Sequence, residues 1–334
     1  MKKLITIITL LAVLFTSVLA VSCGETEKGK ANVKYYATPA DIVPLILAGN
    51  ETIGLIPEPA ATALQNNAKK QGKTLYRLDL QELYDSEEKA YPQAVLMVKK
   101  SVLGSHPNLP SVIQNKITES VSWAKQNTAT AVSAIGSKGQ TTLKAPALSE
   151  SVIDACKIYY QSAESAKSSV NAYINGIIEI DETKANPVQD DFFYTTSSLT
   201  SSKSSYTFIA PDGAPALAIS KLINDTDNLG TGKEISYSVV ASDKINTSIV
   251  KGEADLILAP VNLASKLYKA HDNNDHYVMV AVITHGNFYI ISTENITVND
   301  LIDKRVAVPM KGAVPDWTFK MALKKHNIGV QVVE

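Results

Sequence analysis

The sequence predicts an α/β fold of two similar lobes, each a mainly parallel sheet flanked by helices, with a hinge and an interlobe cleft. Three observations predict it. First, a sixteen-residue pattern occurs twice. Gly49-Asn-Glu-Thr-Ile-Gly-Leu-Ile-Pro57-Glu-Pro-Ala-Ala61-Thr-Ala-Leu64 matches Gly252-Glu-Ala-Asp-Leu-Ile-Leu-Ala-Pro260-Val-Asn-Leu-Ala264-Ser-Lys-Leu267, and each landmark pair lies 203 residues apart. Each copy reads as a glycine turn, a short apolar strand, a proline and a helix start, so two equivalent corners imply two equivalent lobes. Second, short β-rich runs alternate with helical ones, the pattern of parallel sheets. Third, 312 residues remain after a 22-residue leader is taken from 334, which suits two domains. Paired α/β lobes hold ligands in the cleft between them.

The elements follow in chain order. Lys2 and Lys3 precede an apolar run from Leu4 to Val21, and small residues Ala20-Val21-Ser22 lead to Cys23. This resembles the lipobox of bacterial lipoproteins, which implies a signal peptide over 1–22, a lipidated Cys23 as first mature residue, and a lipid-anchored tether over 23–30. A plain transmembrane anchor competes with that reading, since eighteen apolar residues span about 27 Å as a helix. With Cys23 lipidated, Cys156 has no disulfide partner and reads as a small buried hydrophobe.

Residues 31–90 then supply a strand at Val33–Ala37, a helix at Pro39–Ala48, a strand at Thr52–Ile56, a helix from Pro59 and a strand at Thr74–Leu80. Tyr91–Lys100 reads as a return strand. Residues 106–180 read as helical, with apolar positions at Val112, Ile117, Val121 and Trp123, then Val152, Cys156 and Tyr159. A Ser/Thr-rich stretch over 195–205 reads as a flexible linker. From Tyr206 the alternation resumes: strand to Ala210, helix to about Ile223, strand Glu234–Ala241, helix Asp243–Lys251, strand Asp255–Ala259 and helix Val261–Tyr268. A long β-rich run from Tyr277 to Ile291 is broken at Thr284-His285-Gly286. Arg305–Pro309 begins a further unit, with a helix from Lys311 to about His326, and the chain ends before that unit's next strand.

This order looks rotated. Segment 206–295 makes the first part of lobe I and 91–194 its return strand and helical part. Segment 296–334 begins lobe II and 31–90 completes it. Rotation is tolerated where cut and join fall in exposed loops.

Taken in the order 206–334 then 31–194, the chain resembles the nitrate/sulfonate/bicarbonate and thiamine-pyrimidine-like group of ABC-transporter substrate-binding proteins. The stretches that carry the resemblance are Gly213–Ala218, Gly252–Tyr268, Thr284–Ile291, Lys304–Lys325, Leu47–Leu64 and Tyr91–Lys100, together with Asp190-Asp-Phe-Phe-Tyr194. The departure is the chain order. The resemblance implies a two-lobed periplasmic-binding-protein-like fold (type II-like), a hinge near Ile283–Ser292 and Tyr91–Lys100, and an extracytoplasmic lipoprotein anchored to the bacterial cell membrane. It implies a monomer that captures a small polar molecule, such as an aminopyrimidine or sulfonate, and delivers it to an ABC permease and its ATPase.

Ligands of α/β lobes sit beyond the carboxyl ends of the strands, near helix N-termini. The loops that meet this condition nominate Asp212, Gly213, Ala214, Asn262, Thr284, His285, Asn287, Lys311, Gly312, Ala313, Trp317 and Glu58 as ligand-binding residues. Glu58 and Asn262 occupy equivalent corners, where capping is the competing role. Trp317 reads equally as a stacking platform or a packing residue, and His285 as a structural histidine. A buried Glu58 carboxylate needs a partner, which a hydrogen-bond-donating ligand would supply.

Composition excludes other classes. Net charge is −1 for the whole chain, and −3 once Lys2 and Lys3 leave, with no basic stripe for nucleic acid. No His-Glu-x-x-His, Gly-x-Ser-x-Gly or paired-cysteine zinc pattern occurs. His271–His276 reads as a polar turn. Catalytic residues, metal and cofactor are therefore expected to be none. An enzyme of pyrimidine synthesis on the same fold, or a sensory surface lipoprotein that does not transport, are the alternative readings.

Overall fold

A computed structural model describes residues 27–242, 244–252, 254–268 and 275–334. The leader, Cys23 and the rest of the first half of the 23–30 tether, and most of the His271–His276 turn, lie outside the described residues. Among the described residues the strands are β1 (Gly29–Tyr36), β2 (Ile53–Pro57), β3 (Tyr76–Asp79), β4 (Pro92–Lys99), β5 (Ile158–Ser162), β6 (Ser205–Pro211), β7 (Glu234–Val240), β8 (Leu256–Pro260), β9 (Tyr277–His285), β10 (Phe288–Ser292), β11 (Arg305–Pro309) and β12 (Ile328–Val332). They form two six-stranded sheets, β5-β9-β4-β8-β6-β7 in lobe I and β12-β1-β11-β2-β10-β3 in lobe II. Helices flank both, so the fold is a two-lobed mixed α/β architecture.

The two sheets share one plan. In lobe I, β7, β6 and β8 run parallel, β4 pairs antiparallel with β8, and β9 pairs with β4. In lobe II, β1, β11 and β2 run parallel, β10 pairs antiparallel with β2, and β3 pairs with β10. Each lobe therefore takes its antiparallel strand from the chain leaving the other: β10 continues from β9, and β4 follows β3. The chain thus crosses between the two sheets from β3 to β4 and again from β9 to β10.

The repeated pattern is one cause of this equivalence. β2 and β8 fall on corresponding residues of the two copies. The glycine that opens each copy takes a left-handed conformation, φ 81° at Gly49 and φ 62° at Gly252, where a side chain would be strained. Gly49 closes the Pro39–Ala48 helix, whose other end carries a capping box between Thr38 and Asp41. β8 is apolar and buried to its terminal proline, as a strand covered on both faces requires. The copies diverge just after the proline: Val261 enters its helix at once, whereas Glu58 and Pro59 form a turn, joined by a cis peptide, before the Ala60–Lys70 helix.

Three expectations need correction. The 106–180 stretch is not continuously helical: Ile158–Ser162 is β5, an edge strand on β9, because β-branched and aromatic residues at Ile158, Tyr159 and Tyr160 favour strand over helix. The chain does not stop short of a further strand in lobe II, since β12 pairs in parallel with β1 as a sixth edge strand. The 195–205 segment is held rather than loose. Ser201 N–H donates to Ser105 Oγ at 2.8 Å, and Leu199 O lies so close to Gly104 that a Cβ there would sit 1.9 Å away.

Apolar clusters fill both lobes, and one bridges them. It joins Val261, Ala264 and Leu267 of lobe I to Val314, Trp317 and Met321 of lobe II, with Tyr91, Tyr173 and Ile177 between. The Ala163–Ile180 helix supplies the bridge: Tyr173 bonds Thr318 Oγ1, and Lys324 of lobe II pairs with Glu179 at 3.0 Å. Among the described residues no helix is long and apolar enough to cross a membrane.

Candidate functional site

Strand ends bring the nominated residues to the seam between the lobes. β6 ends at Pro211, placing Asp212, Gly213 and Ala214 at the head of lobe I, and β8 ends at Pro260, placing Asn262 beside them. β11 and β2 do the same in lobe II for Lys311, Gly312 and Ala313 and for Glu58. Between them, β9 passes into β10 through Gly286 and Asn287, and Gly286 N–H donates to Tyr91 O at 2.9 Å. The two chain crossings are thus hydrogen-bonded side by side.

Burial and bonding divide these residues into two groups. The carboxylates and the histidine are spent inside their own lobes. Asp212 accepts from Thr141 Oγ1 at 2.6 Å, from Thr142 N at 2.7 Å and from Thr142 Oγ1 at 2.7 Å, pinning a loop over the ends of β6 and β7. Glu58 accepts from the Thr62 amide at 3.1 Å and hydroxyl at 2.7 Å, and forms an ion pair with Arg77. The partner its carboxylate needed is therefore Arg77, not a ligand. Asp316 accepts from Tyr35 at 2.8 Å, from Gly312 N at 2.8 Å and from Lys320 at 3.0 Å. His285 stacks on Tyr159 with ring centroids 3.6 Å apart, and its nitrogens contact Lys157 O and Gln161 Oε1. Burial lowers its pKa to about 4, so it is neutral near pH 7. Lys311 is exposed, its ammonium 5.2 Å from the centre of the Tyr35 ring.

The second group is buried and unpaired. Asn262 Oδ1, Thr284 Oγ1, Asn287 Oδ1 and Trp317 Nε1 have no hydrogen-bond partner, and the residues are 2%, 0%, 1% and 3% exposed. Gln93 Oε1, a residue the sequence reasoning missed, joins them. Strand register sets the lobe I members together: Ala94, next to Gln93, pairs with both Pro260 and Thr284. Asn287 is tied to the lobe II corner, donating Nδ2 to Glu58 O at 3.4 Å while Glu58 N–H returns to Asn287 O at 2.9 Å. Trp317 enters from the lobe II helix Val314–Lys325, in the cluster that holds Val261 and Ala264 of the Asn262 helix. A buried polar group without a partner costs about 1–3 kcal/mol, and native structures carry few of them. The five named here come from both lobes and from the strands that cross between them.

Gly213 and Gly312 take φ 99° and 76°, and a Cβ at Gly213 would meet no atom within 4 Å. Their role at these corners is conformational, setting the turn from strand into helix. Gln93 carried one sequence signal, a polar residue inside the apolar run Tyr91–Val98. Among the described residues no group of three or more His, Cys, Asp or Glu gathers as a metal site.

No protein-family profile and no curated protein matches the chain. Among solved structures, the oligopeptide-binding protein AppA of Bacillus subtilis, in complex with a nonapeptide, aligns at 9% identity and TM-score 0.32, over 77% of this chain and 55% of that one. NikA of Brucella suis, in complex with Fe(III)-EDTA, aligns at 10% identity and TM-score 0.29, over 78% of this chain and 57% of that one. The chain thus spans little more than half the length of either. Likeness this distant assigns no ligand, and the architecture rests on the strand pairing described above.

Proposed function

We propose that this chain is an extracytoplasmic solute-binding lipoprotein that captures a small polar molecule between its lobes and hands it to an ABC importer. The observation that carries the binding role is the set of buried, unpaired polar atoms drawn from both lobes and the crossing strands. A solute bonded to Asn262, Thr284, Asn287, Trp317 and Gln93 would relieve their desolvation cost and hold the lobes together. The Gly286–Tyr91 crossing would serve as the hinge about which they part.

The lipobox-like Ala20–Cys23 supports anchoring at the extracytoplasmic face of the membrane, and the reading extends to a permease and its ATPase as partners. The nitrate/sulfonate/bicarbonate and thiamine-pyrimidine-like group remains our family assignment. A rotated chain order is supported by the shared sheet plan. The trio β7-β6-β8 runs 2-1-3 in lobe I, and β1-β11-β2 runs 2-1-3 only when β11 is counted first.

The test is a thermal-shift screen against a broad panel of small solutes, repeated on Asn262→Leu. A stabilising solute whose effect is lost in the variant supports the reading. A solute that stabilises both proteins equally binds elsewhere and removes its basis. Fatty-acid incorporation that persists in Cys23→Ala would separately refute the anchor.

A further inference from the structure

The loop that Asp212 pins reaches beyond its own lobe. It covers residues 137–149, between the helices Thr128–Gly136 and Glu150–Ala155 of lobe I. Its near end is docked on the outer edge of β7: Val239 N–H donates to Lys138 O at 3.0 Å, and a Cβ at Gly139 would lie 1.8 Å from Val239 O. Only glycine permits that approach. Leu143 and Leu148, each 3% exposed, root the loop in the lobe I apolar cluster. Between these leucines the chain makes a 3-10 turn, Ala145-Pro146-Ala147, with no buried residue of its own, and this turn meets the Ala60–Lys70 helix of lobe II. That helix starts just after the Glu58 corner. The loop therefore runs from the Asp212 corner of one lobe to the Glu58 corner of the other.

Asp212 is placed to govern this span. Its carboxylate takes three hydrogen bonds, all from Thr141 and Thr142, and Thr141 Oγ1 in turn accepts from Leu143 N–H at 3.1 Å. Bonds to a charged acceptor are stronger than neutral ones. The residue follows directly on β6, a strand inside the lobe I sheet, so the loop is tied to a rigid element.

We propose that loop 137–149 is a lid, carried by lobe I and closing the seam against the Ala60–Lys70 helix of lobe II, with Asp212 as the clasp that fixes it. Asp212 is then a positioning residue, acting through Thr141 and Thr142 and not by touching solute. Lids of this kind gate entry to a site and shield it from water. The lid rests on the binding role proposed above, but its test uses no solute, so the two can fail separately.

Trypsin cleavage at Lys144, which is exposed beside the 3-10 turn, and hydrogen exchange across residues 60–70 are measured on the full chain, wild type against Asp212→Ala. Cleavage at Lys144 should rise about tenfold or more in the variant, because the local bonds that oppose opening are gone. Amides of residues 60–70 should exchange faster as well, although Asp212 bonds nothing in that helix. Equal cleavage in both proteins would overturn the clasp. Faster cleavage with unchanged exchange over 60–70 would overturn the lid, leaving a strap that serves lobe I alone. If Asp212→Ala does not melt cooperatively, the same two readouts on Thr141→Val decide, and Thr141→Ser, which keeps the hydroxyl, should match wild type.

Discussion

Gly286 gives its backbone N–H to Tyr91 O at 2.9 Å, and a Cβ at position 286 would lie 2.2 Å from Tyr91 Cε1. The two chain crossings between lobes are therefore in backbone contact, with room for hydrogen only. Tyr91 cannot yield, since its ring stacks on Tyr173 at 5.7 Å and meets Tyr84 edge-on at 5.5 Å. Gly286→Ala is expected to lower stability by about 1–3 kcal/mol through overpacking. Urea unfolding checks the loss. Adding Tyr91→Ala, which removes the clashing ring, should make the pair non-additive; strict additivity would place the strain elsewhere.

Glu58 closes the lobe II corner through Thr62 and Arg77, while Arg77 also lies 3.8 Å over the Tyr289 ring. The Glu58 side chain is fully buried and that of Arg77 is 29% exposed. Glu58→Ala removes a helix cap and leaves a partly hydrated cation, so a loss of about 1–3 kcal/mol is expected in equilibrium unfolding. A stability unchanged within error would mean that the corner is held by its backbone bonds to Asn287 alone.

His285 makes stability depend on pH in a defined window. Its folded pKa is about 4, against an ordinary 6.5, because burial disfavours the imidazolium. Between these values the unfolded chain binds a proton that the folded protein refuses. Stability is therefore full above pH 6.5 and falls as pH drops toward 4, by up to about 3 kcal/mol from this group. The stability difference between wild type and His285→Gln should carry this slope between pH 6.5 and 4 and be flat above it. A flat difference throughout would show that His285 titrates normally in the folded protein.

Cys156 is 0% exposed, and burial pushes its thiol pKa well above the ordinary value. In a Cys23→Ser variant it is the only thiol, the chain having two cysteines. A disulfide-exchange reagent should label it orders of magnitude more slowly in the folded protein than in denaturant. Labelling at the free-thiol rate under native conditions would contradict the packing around the Cys156 turn.

Much of the fold was legible because its signals are local. The glycine–strand–proline–helix pattern at Gly49 and Gly252 needs only left-handed glycines and apolar strands buried on both faces, and β2 and β8 lie where it places them. Ile158–Ser162 was not legible. Its β-branched and aromatic residues favour strand, but they continue the apolar spacing of the helix before them, and the edge of β9 completes the choice. Nor was the fate of Glu58, because Arg77 lies nineteen residues away on a different strand.

The sequence by itself determined two equivalent corners, the break between β9 and β10 at Gly286, and the polar residues that would stand at the strand ends. It did so because turn chemistry and strand burial are written in neighbouring residues. Tertiary structure alone decided which of those polar groups were already satisfied. Asp212, Glu58, Asp316 and His285 find partners within their own lobes, while Asn262, Thr284, Asn287 and Trp317 are buried without them. Whether a buried polar atom is paired depends on atoms brought near from distant parts of the chain, and no local pattern encodes that.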